Sequence, residues 1–246
     1  MPRQPSRRGA LLLLAGAVIP AVARAQGTPL VPPVTPPTIP PITSPVAPQT
    51  GPPRPIPLPA TAIDKTKAYY VFFDQTIDVA SMRTLRRQLA TLVEAGVSEI
   101  TLVIDSPGGQ LEPTLITYSF ILALPARINT HAQGFVQSAA TLLYLAGQAR
   151  SADRSARFLF HPSQALVTGL MDEKQVLERA QSFDIVKSVV TQIYHDRTTL
   201  PASETERFEH DTVVYTAEQA RTFGVVQTVA DLRIPGDGKA KILFLD

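Results

Sequence analysis

The stretch EITLVIDSPGG, residues 99–109, joins a buried strand to a turn that contains two glycines. Its first six residues, EITLVI, are mostly apolar, which is typical of a strand buried inside a sheet. Ser106–Gly109 follows as a tight turn, and a helical pattern covers Glu112–Leu124. A strand, a tight turn and a helix in this order form the repeating unit of α/β proteins.

Strand and helix patterns alternate on both sides of this stretch, over residues 61–246. The first helix repeats apolar residues from Met82 to Leu92 and ends at Gly96. The other predicted strands are Tyr69–Phe73, Arg127–His131 and Phe158–Phe160, and the other predicted helices are Ser138–Ala146 and Met171–Asp196. The alternation predicts one α/β domain with a largely parallel sheet. The helix at Met171–Asp196 is apolar on more than one face, which fits either a helix that packs against a further surface or an ordinary core helix.

The first 25 residues have the pattern of an export signal. A basic pair, Arg7-Arg8, precedes the apolar run Leu11–Val22, and Ala23–Ala25 supplies small residues for a cleavage site. The run is short for a bilayer span, which needs roughly 20 apolar residues. We therefore expect a cleaved signal rather than a permanent anchor, and a periplasmic or secreted protein, exported by the Sec or the twin-arginine route.

Residues 26–60 contain 14 of the 23 prolines. Proline lacks the amide donor and has a fixed φ, so the segment is predicted to be an extended spacer without helix or sheet. It is either a tether for the domain at residues 61–246 or a docking site for a proline-binding partner.

The positive net charge of +2 belongs to the leader. Without residues 1–25 the chain has 19 basic and 21 acidic residues, and no basic patch for nucleic acid stands out. We expect no membrane span once the signal is removed.

The absence of cysteine excludes disulfides, iron–sulfur clusters and a thiol nucleophile. The four histidines form no HExxH motif, so we assign no metal and no cofactor. His131, His195 and His210 are expected to be structural or surface residues.

Three segments carry residues with the chemistry of a hydrolase. Gly108 and Gly109 follow a strand, where backbone N–H groups can approach an oxyanion or phosphate, although a plain turn needs the same residues. Ser138 begins a helix, either as an ordinary N-cap or as a nucleophile. His161 ends an apolar strand, either as a structural histidine or as the base for Ser138.

These segments, in this order, resemble the ClpP-type serine peptidases of the ClpP/crotonase superfamily. The matching motifs are Ser-Pro-Gly-Gly at 106–109, Gly-x-x-x-Ser at 134–138 before an apolar helix, His161-Pro162 after a strand, and Thr216–Ala220 with Phe223–Val226 near the end. The resemblance extends from about Tyr69 to Val229.

The resemblance implies a ClpP/crotonase-like fold of repeated β-β-α units with a long protruding helix. It also implies a homo-oligomer that acts on peptides or unfolded protein. It assigns Ser138 as nucleophile, His161 as general base, the N–H groups of Gly109 and Ala139 as oxyanion hole, and Gly108 to substrate binding.

The third member of the triad is where the chain departs from the family pattern. Alignment on Thr216-Ala217 places Thr212 where the family has its aspartate, and Asp211 lies one residue earlier. A one-residue bulge would bring Asp211 to His161, and we predict that Asp211 completes the triad. The alternatives are a serine–histidine dyad, Glu209 as the acid, or an inactive site.

Three functions compete at this point. The first is an exported serine endopeptidase that acts without ATP, because the chain has no P-loop and an exported protein meets neither ATP nor a cytoplasmic ATPase. The second is an inactive scaffold that keeps the fold. The third is a crotonase-type enzyme for acyl-CoA thioesters, which export disfavours.

Overall fold

The computed structural model describes residues 63–164 and 169–245. The predicted signal and spacer, and the predicted domain boundary at residue 61, lie outside these residues. The strands are β1 Ala68–Phe73, β2 Glu99–Ser106, β3 Arg127–Gln137, β4 Arg150–Ala152, β5 Arg157–Phe160, β6 Val213–Thr216, β7 Thr228–Val229 and β8 Ala240–Phe244. The helices are α1 Val79–Glu94, α2 Leu111–Ala123, α3 Ala139–Leu145, α4 Glu173–Arg197, α5 Ala202–Phe208 and α6 Ala217–Thr222.

One sheet contains all the described strands, in the order β6-β5-β3-β2-β1-β8, with β4 paired to β3 and β7 paired to β4. Every pair is parallel except β5–β6, which is antiparallel. The prediction of an α/β fold with a largely parallel sheet is therefore confirmed. Parallel neighbours require crossover connections, and α1, α2 and α3 supply them.

The first crossover shows why this sequence folds in this way. Asp78 caps α1, since its carboxylate accepts the N–H of Ser81 at 2.7 Å. The apolar residues of α1 at helical spacing are fully buried, as are alternate residues of β2: Met82, Leu85, Leu89, Leu92, Ile100, Leu102 and Ile104. Each such side chain contributes about 1.5–3 kcal/mol on burial. Gly96, with φ of 89°, begins the return to β2.

Strand β3 is twice as long as the predicted strand and bends within its length. Its first half pairs with β2 and β4, and its last residues, Phe135–Gln137, pair with β5. The register with β2 shifts between Ile104 and Ser106, and the Asp105 carboxylate accepts the Phe135 N–H at 2.8 Å beside Gly134. The bend ends directly at Ser138.

Helix α4 occupies Glu173–Arg197, close to the predicted Met171–Asp196. Only Ile193 and Tyr194, near its C-terminal end, are buried, so most of the helix protrudes. No helix within the described residues is long and apolar enough to span a membrane.

Candidate active site

Ser138 lies between β3 and α3 with φ 53° and ψ −126°, a backbone conformation that residues other than glycine rarely adopt. Such a conformation costs on the order of 1–3 kcal/mol and persists only where the surroundings hold it. Its N–H donates to Leu159 O of β5 at 2.8 Å, and its carbonyl accepts the Thr141 N–H at 3.0 Å. A serine in a strained strand-to-helix turn exposes its hydroxyl at the sheet edge, as nucleophilic serines do.

The turn at Gly108-Gly109 packs directly against Ser138. A Cβ on Gly108, which has φ of 84°, would overlap Gln137 O and lie 2.9 Å from the Ser138 Cβ. Ser106 fixes the turn, since its hydroxyl donates to Gln75 O at 2.7 Å and accepts the Gly108 N–H at 3.2 Å. These contacts require glycine at 108 and bring the turn against Ser138.

The predicted oxyanion donors are the N–H groups of Gly109 and Ala139, and both residues line the same cavity as Ser138. The bridge between Ile77 and this turn uses Gly108 O and the Gln110 N–H, which leaves the Gly109 N–H outside the bridge. Ala139 is the first residue of α3, where N–H groups have no acceptor within the helix. Neither N–H has an acceptor among the described hydrogen bonds, and donors of this kind suit an anion that develops in a reaction.

His161 follows β5, whose end is held by an aromatic stack between Phe160 and Phe208, with ring centroids 4.4 Å apart. The His161 Nδ1 lies 2.7 Å from Pro162 O. A carbonyl only accepts, so Nδ1 carries the hydrogen and Nε2 keeps a free lone pair. That tautomer is the one a general base requires, and here a backbone carbonyl fixes it.

Ser138, Ala139, Gly109 and His161 line one cavity of about 690 Å³. Helix α4 forms one wall of the cavity, which is largely apolar but also carries two polar residues: Phe183, Val186, Val190 and Tyr194, with Arg179 and Ser182. In the described part of the chain no hydrogen bond joins Ser138 to His161, and both residues line the cavity. An apolar cavity with a few convergent polar groups is the usual form of a substrate site.

Gly108, predicted to bind substrate, is not on the cavity surface. It is buried, its N–H is used by Ser106, and its carbonyl accepts the Ile77 N–H at 2.8 Å. Its observed role is close packing behind Ser138.

No described hydrogen bond or ion pair joins Asp211 to His161. Asp211 is exposed in the turn after α5, where its own N–H donates to Arg207 O at 2.8 Å. The β5–β6 pairing is regular and ends where Phe160 lies opposite Val213, so the bulge that the triad prediction requires would lie beyond the paired residues, and Asp211 as third member of the triad stays a prediction. Glu209, the alternative acid, pairs with Lys187 at 2.5 Å.

Two features of the site were not predicted from the sequence. One is the cavity wall from residues 183, 186, 190 and 194 of α4, whose helical spacing was a usable signal. Thr141 also escaped notice, although it lies three residues after Ser138, where a hydroxyl can reach the Ser138 carbonyl. Among the described residues no group of three or more histidine and acidic side chains could hold a metal ion.

A parallel sheet with a strained serine and a histidine on one cavity is the arrangement of an α/β serine hydrolase. Residues 62–233 match the Clp protease family, and the chain belongs to it. It is 28% identical to an ATP-dependent Clp protease proteolytic subunit 3 of Streptomyces coelicolor over 165 residues, covering 65% of this chain and 75% of that protein. It is 29% identical to a proteolytic subunit 2 of Corynebacterium jeikeium over 170 residues, covering 66% and 79%.

The fold is also similar to that of a solved structure. A ClpP1 mutant from Listeria monocytogenes superposes with a TM-score of 0.60 at 17% identity, over 67% of this chain and 92% of that one. This similarity supports the ClpP-like fold.

Proposed function

We propose that this protein is an exported serine endopeptidase that hydrolyses peptides or unfolded protein without ATP. The observation that carries the proposal is the His161 ring, whose Nδ1 hydrogen is held by Pro162 O while Nε2 is free, on the cavity that also contains Ser138. Export rests on the pattern of residues 1–25, and independence from ATP rests on export together with the lack of a P-loop.

In the proposed reaction the His161 Nε2 takes the hydroxyl proton of Ser138 while Oγ attacks the scissile carbonyl carbon. The carbonyl π electrons move to oxygen, and the N–H groups of Gly109 and Ala139 stabilise the resulting anion. Collapse of this intermediate breaks the C–N bond, and the imidazolium gives its proton to the leaving amine. Water then repeats the sequence on the acyl-enzyme and releases the acid.

The cavity suits an extended peptide with an apolar side chain. Its polar lining includes Ser138, His161 and, from α4, Arg179 and Ser182; the rest of the α4 wall is mostly apolar. Ile77 and Gln110 at its other edge belong to a backbone bridge. The relatives are named as proteolytic subunits, and we propose that this chain likewise forms a homo-oligomer.

The direct test is labelling of the purified protein with a fluorophosphonate probe, beside Ser138→Ala and His161→Ala. We expect labelling of the parent, none for Ser138→Ala, and a loss of at least about a hundredfold for His161→Ala, because an unassisted serine hydroxyl is a poor nucleophile. Circular dichroism and thermal unfolding of each variant check that the fold is kept. A folded parent that labels no more than Ser138→Ala contradicts the proposal.

A second candidate, an inactive scaffold of the same fold, is favoured by one observation. His161 contacts no carboxylate in the described part of the chain, and loss of the acid from a triad costs about 10⁴ in rate. The two candidates differ in the same experiment, since a scaffold leaves Ser138 unlabelled while the fold stays intact.

A further inference from the structure

Both polar groups of the peptide between Ser138 and Ala139, the N–H and the C=O, have a place in the site. Its N–H is one of the two proposed oxyanion donors, and its carbonyl, on Ser138, accepts two hydrogen bonds from Thr141. In a trans peptide the C=O and N–H point in opposite directions, so whatever fixes one fixes the other. The orientation of the oxyanion donor is therefore set on the far side of the peptide from the cavity.

We propose that Thr141 and Tyr194 are positioning residues that hold this peptide group with its N–H toward the cavity. The inference rests on the proposed function, because it concerns a donor that matters only if Ser138 reacts. It adds two residues to the site and makes helix α4 part of the catalytic geometry.

The contacts form a chain from α4 to the nucleophile. The Thr141 hydroxyl donates to Ser138 O at 2.7 Å, and the Thr141 N–H donates to the same oxygen at 3.0 Å. The Tyr194 hydroxyl lies 3.4 Å from the Thr141 hydroxyl. Because the Thr141 hydrogen is directed at Ser138 O, Tyr194 is the donor in the second contact.

The two side chains in this series of contacts are protected from water. The Thr141 side chain is fully buried and Tyr194 is nearly so. Burial raises the pKa of Tyr194 to about 12, so its hydroxyl keeps its hydrogen at neutral pH. Tyr194 is fixed in turn by edge-on packing against Phe160 and Phe208, with ring centroids 5.8 Å away in both cases.

The hydrogen bonds from Tyr194 and Thr141 end on a residue whose backbone is strained. The ψ of −126° at Ser138 determines where its carbonyl points, and this conformation is unfavourable by itself. A threonine in the first turn of a helix often bonds to the carbonyl three residues before it. Here the acceptor is the strained residue, and a tyrosine from a separate helix supports the threonine. Hydrogen bonds donated to the carbonyl oxygen also polarise the peptide group and make its N–H a stronger donor.

The test compares Thr141→Val, which keeps the shape and removes the hydroxyl, with Thr141→Ser, which keeps the hydroxyl. Fluorophosphonate labelling is measured over a range of probe concentrations and of pH. We expect Thr141→Val to lower the maximal rate about five- to tenfold, the range for one neutral hydrogen bond, and Thr141→Ser to restore it. The half-saturating probe concentration and the midpoint of the pH profile stay as in the parent, because the apolar wall and His161 are unchanged.

Thr130→Val is the matched control. Thr130 is also fully buried, and its hydroxyl donates to Tyr144 O at the other end of α3, at 2.8 Å. This variant loses a comparable hydrogen bond to the same helix, but one that does not involve the peptide group at Ser138, so its labelling rate per folded molecule should equal that of the parent. Equal rate losses in Thr130→Val and Thr141→Val would overturn the proposal in favour of a merely structural role.

Tyr194→Phe tests the link to α4. We expect a smaller loss in the same direction, and the double variant with Thr141→Val should lose no more than Thr141→Val alone, because Tyr194 acts through Thr141. Additive losses of labelling rate would contradict the proposal that Tyr194 acts through Thr141.

Backbone amide exchange at position 141, whose N–H donates to Ser138 O, tests the positioning without any reaction when it is followed by NMR. We expect exchange of this amide to be faster by about fivefold or more in Thr141→Val and unchanged in Thr130→Val, since the hydroxyl no longer holds the Ser138 carbonyl that accepts it. An unreactive parent would refute the proposed function alone, whereas unchanged exchange in Thr141→Val would refute the positioning role whether or not Ser138 reacts.

Discussion

Phe160 lies opposite Val213 at the end of the β5–β6 pairing, so the next residues outward are His161 on one segment and Thr212 on the other. Directly opposed residues of antiparallel strands share a face of the sheet, and we expect the Thr212 side chain to lie on the His161 side. The Pro162 carbonyl already sets the His161 tautomer, but a neutral carbonyl stabilises the imidazolium less than a carboxylate does. The Pro162 carbonyl therefore does not supply the negative charge that an aspartate would place beside His161.

Thr212→Asp should therefore raise the rate of fluorophosphonate labelling, by between about tenfold and a thousandfold, less than the 10⁴ of a full aspartate because the tautomer is already fixed. The control is Asp211→Asn, which removes a carboxylate that does not contact His161 and should leave the rate within about twofold of the parent. Labelling rates for both variants, with thermal unfolding as a fold check, decide the matter. A large loss in Asp211→Asn would instead restore the original triad prediction.

Most strands and helices were predictable because they follow local rules. The α1 periodicity, the apolar run of β2 and the length of α4 each lie within one continuous segment. The short strands β4, β6, β7 and β8, and helix α5, were not predicted, since two to seven residues give too little pattern. The extension of β3 beyond His131 depends on a bend held by Asp105, a contact between distant residues that no local pattern shows.

The same contrast holds for the candidate site. Ser138, His161 and Gly109 were found from motifs, and the structure brings them to one cavity. The placement of Asp211 was uncertain in the sequence because a one-residue bulge leaves no local signature, and the β5–β6 pairing ends at Phe160 and Val213, one residue short of His161 and Thr212. The contribution of Tyr194 depends on how α4 packs, which is tertiary information.

Strands β3 and β4 are tied to the C-terminal segment by a buried histidine. The His131 Nδ1 lies 2.8 Å from the Ser151 hydroxyl and its Nε2 lies 3.0 Å from the Asp153 carboxylate, which also accepts the Leu232 N–H at 2.7 Å. Burial lowers the pKa of His131 below its usual 6.5, against the opposing effects of Asp153 and Asp231. His131 is thus neutral at pH 7, and its contact with Asp153 is a hydrogen bond.

The protein should lose stability as the pH falls below 6.5, because the unfolded chain then takes up a proton on this histidine that the folded chain resists. Urea unfolding at about pH 7.5 and about pH 5.5 measures the loss. In His131→Gln, which is less stable at the higher pH, the decline between the two pH values should be smaller than in the parent. His195→Gln, at an exposed residue of α4, should keep the parent's decline. An equal decline in the parent and His131→Gln would contradict this assignment.

Helix α4 has two kinds of surface, and this links the site to assembly. One side forms the cavity wall through Phe183 and Val186. Elsewhere the helix exposes large apolar residues, including Leu177 at 56% and Ile185 at 66% of their full accessible surface. A soluble protein covers such residues when it associates, and each leucine or isoleucine that becomes buried contributes about 1.5–3 kcal/mol. The proposed homo-oligomer should therefore depend on these side chains.

Leu177→Glu combined with Ile185→Glu should weaken self-association by about a hundredfold or more, because about 3 kcal/mol of apolar burial is lost and two charges would enter the contact. Sedimentation equilibrium of the parent and the variant measures this. The matched control is Ile116→Glu, at an α2 residue that is 52% exposed and equally apolar. A monomeric parent, or equal weakening by Ile116→Glu, would contradict assembly through α4.

Labelling of Ser138 in the dissociated variant then shows whether the α4 wall keeps its position in a single chain. An unchanged labelling rate means that one chain forms a complete cavity. A reduced rate with the fold intact means that neighbouring copies hold α4 against the site.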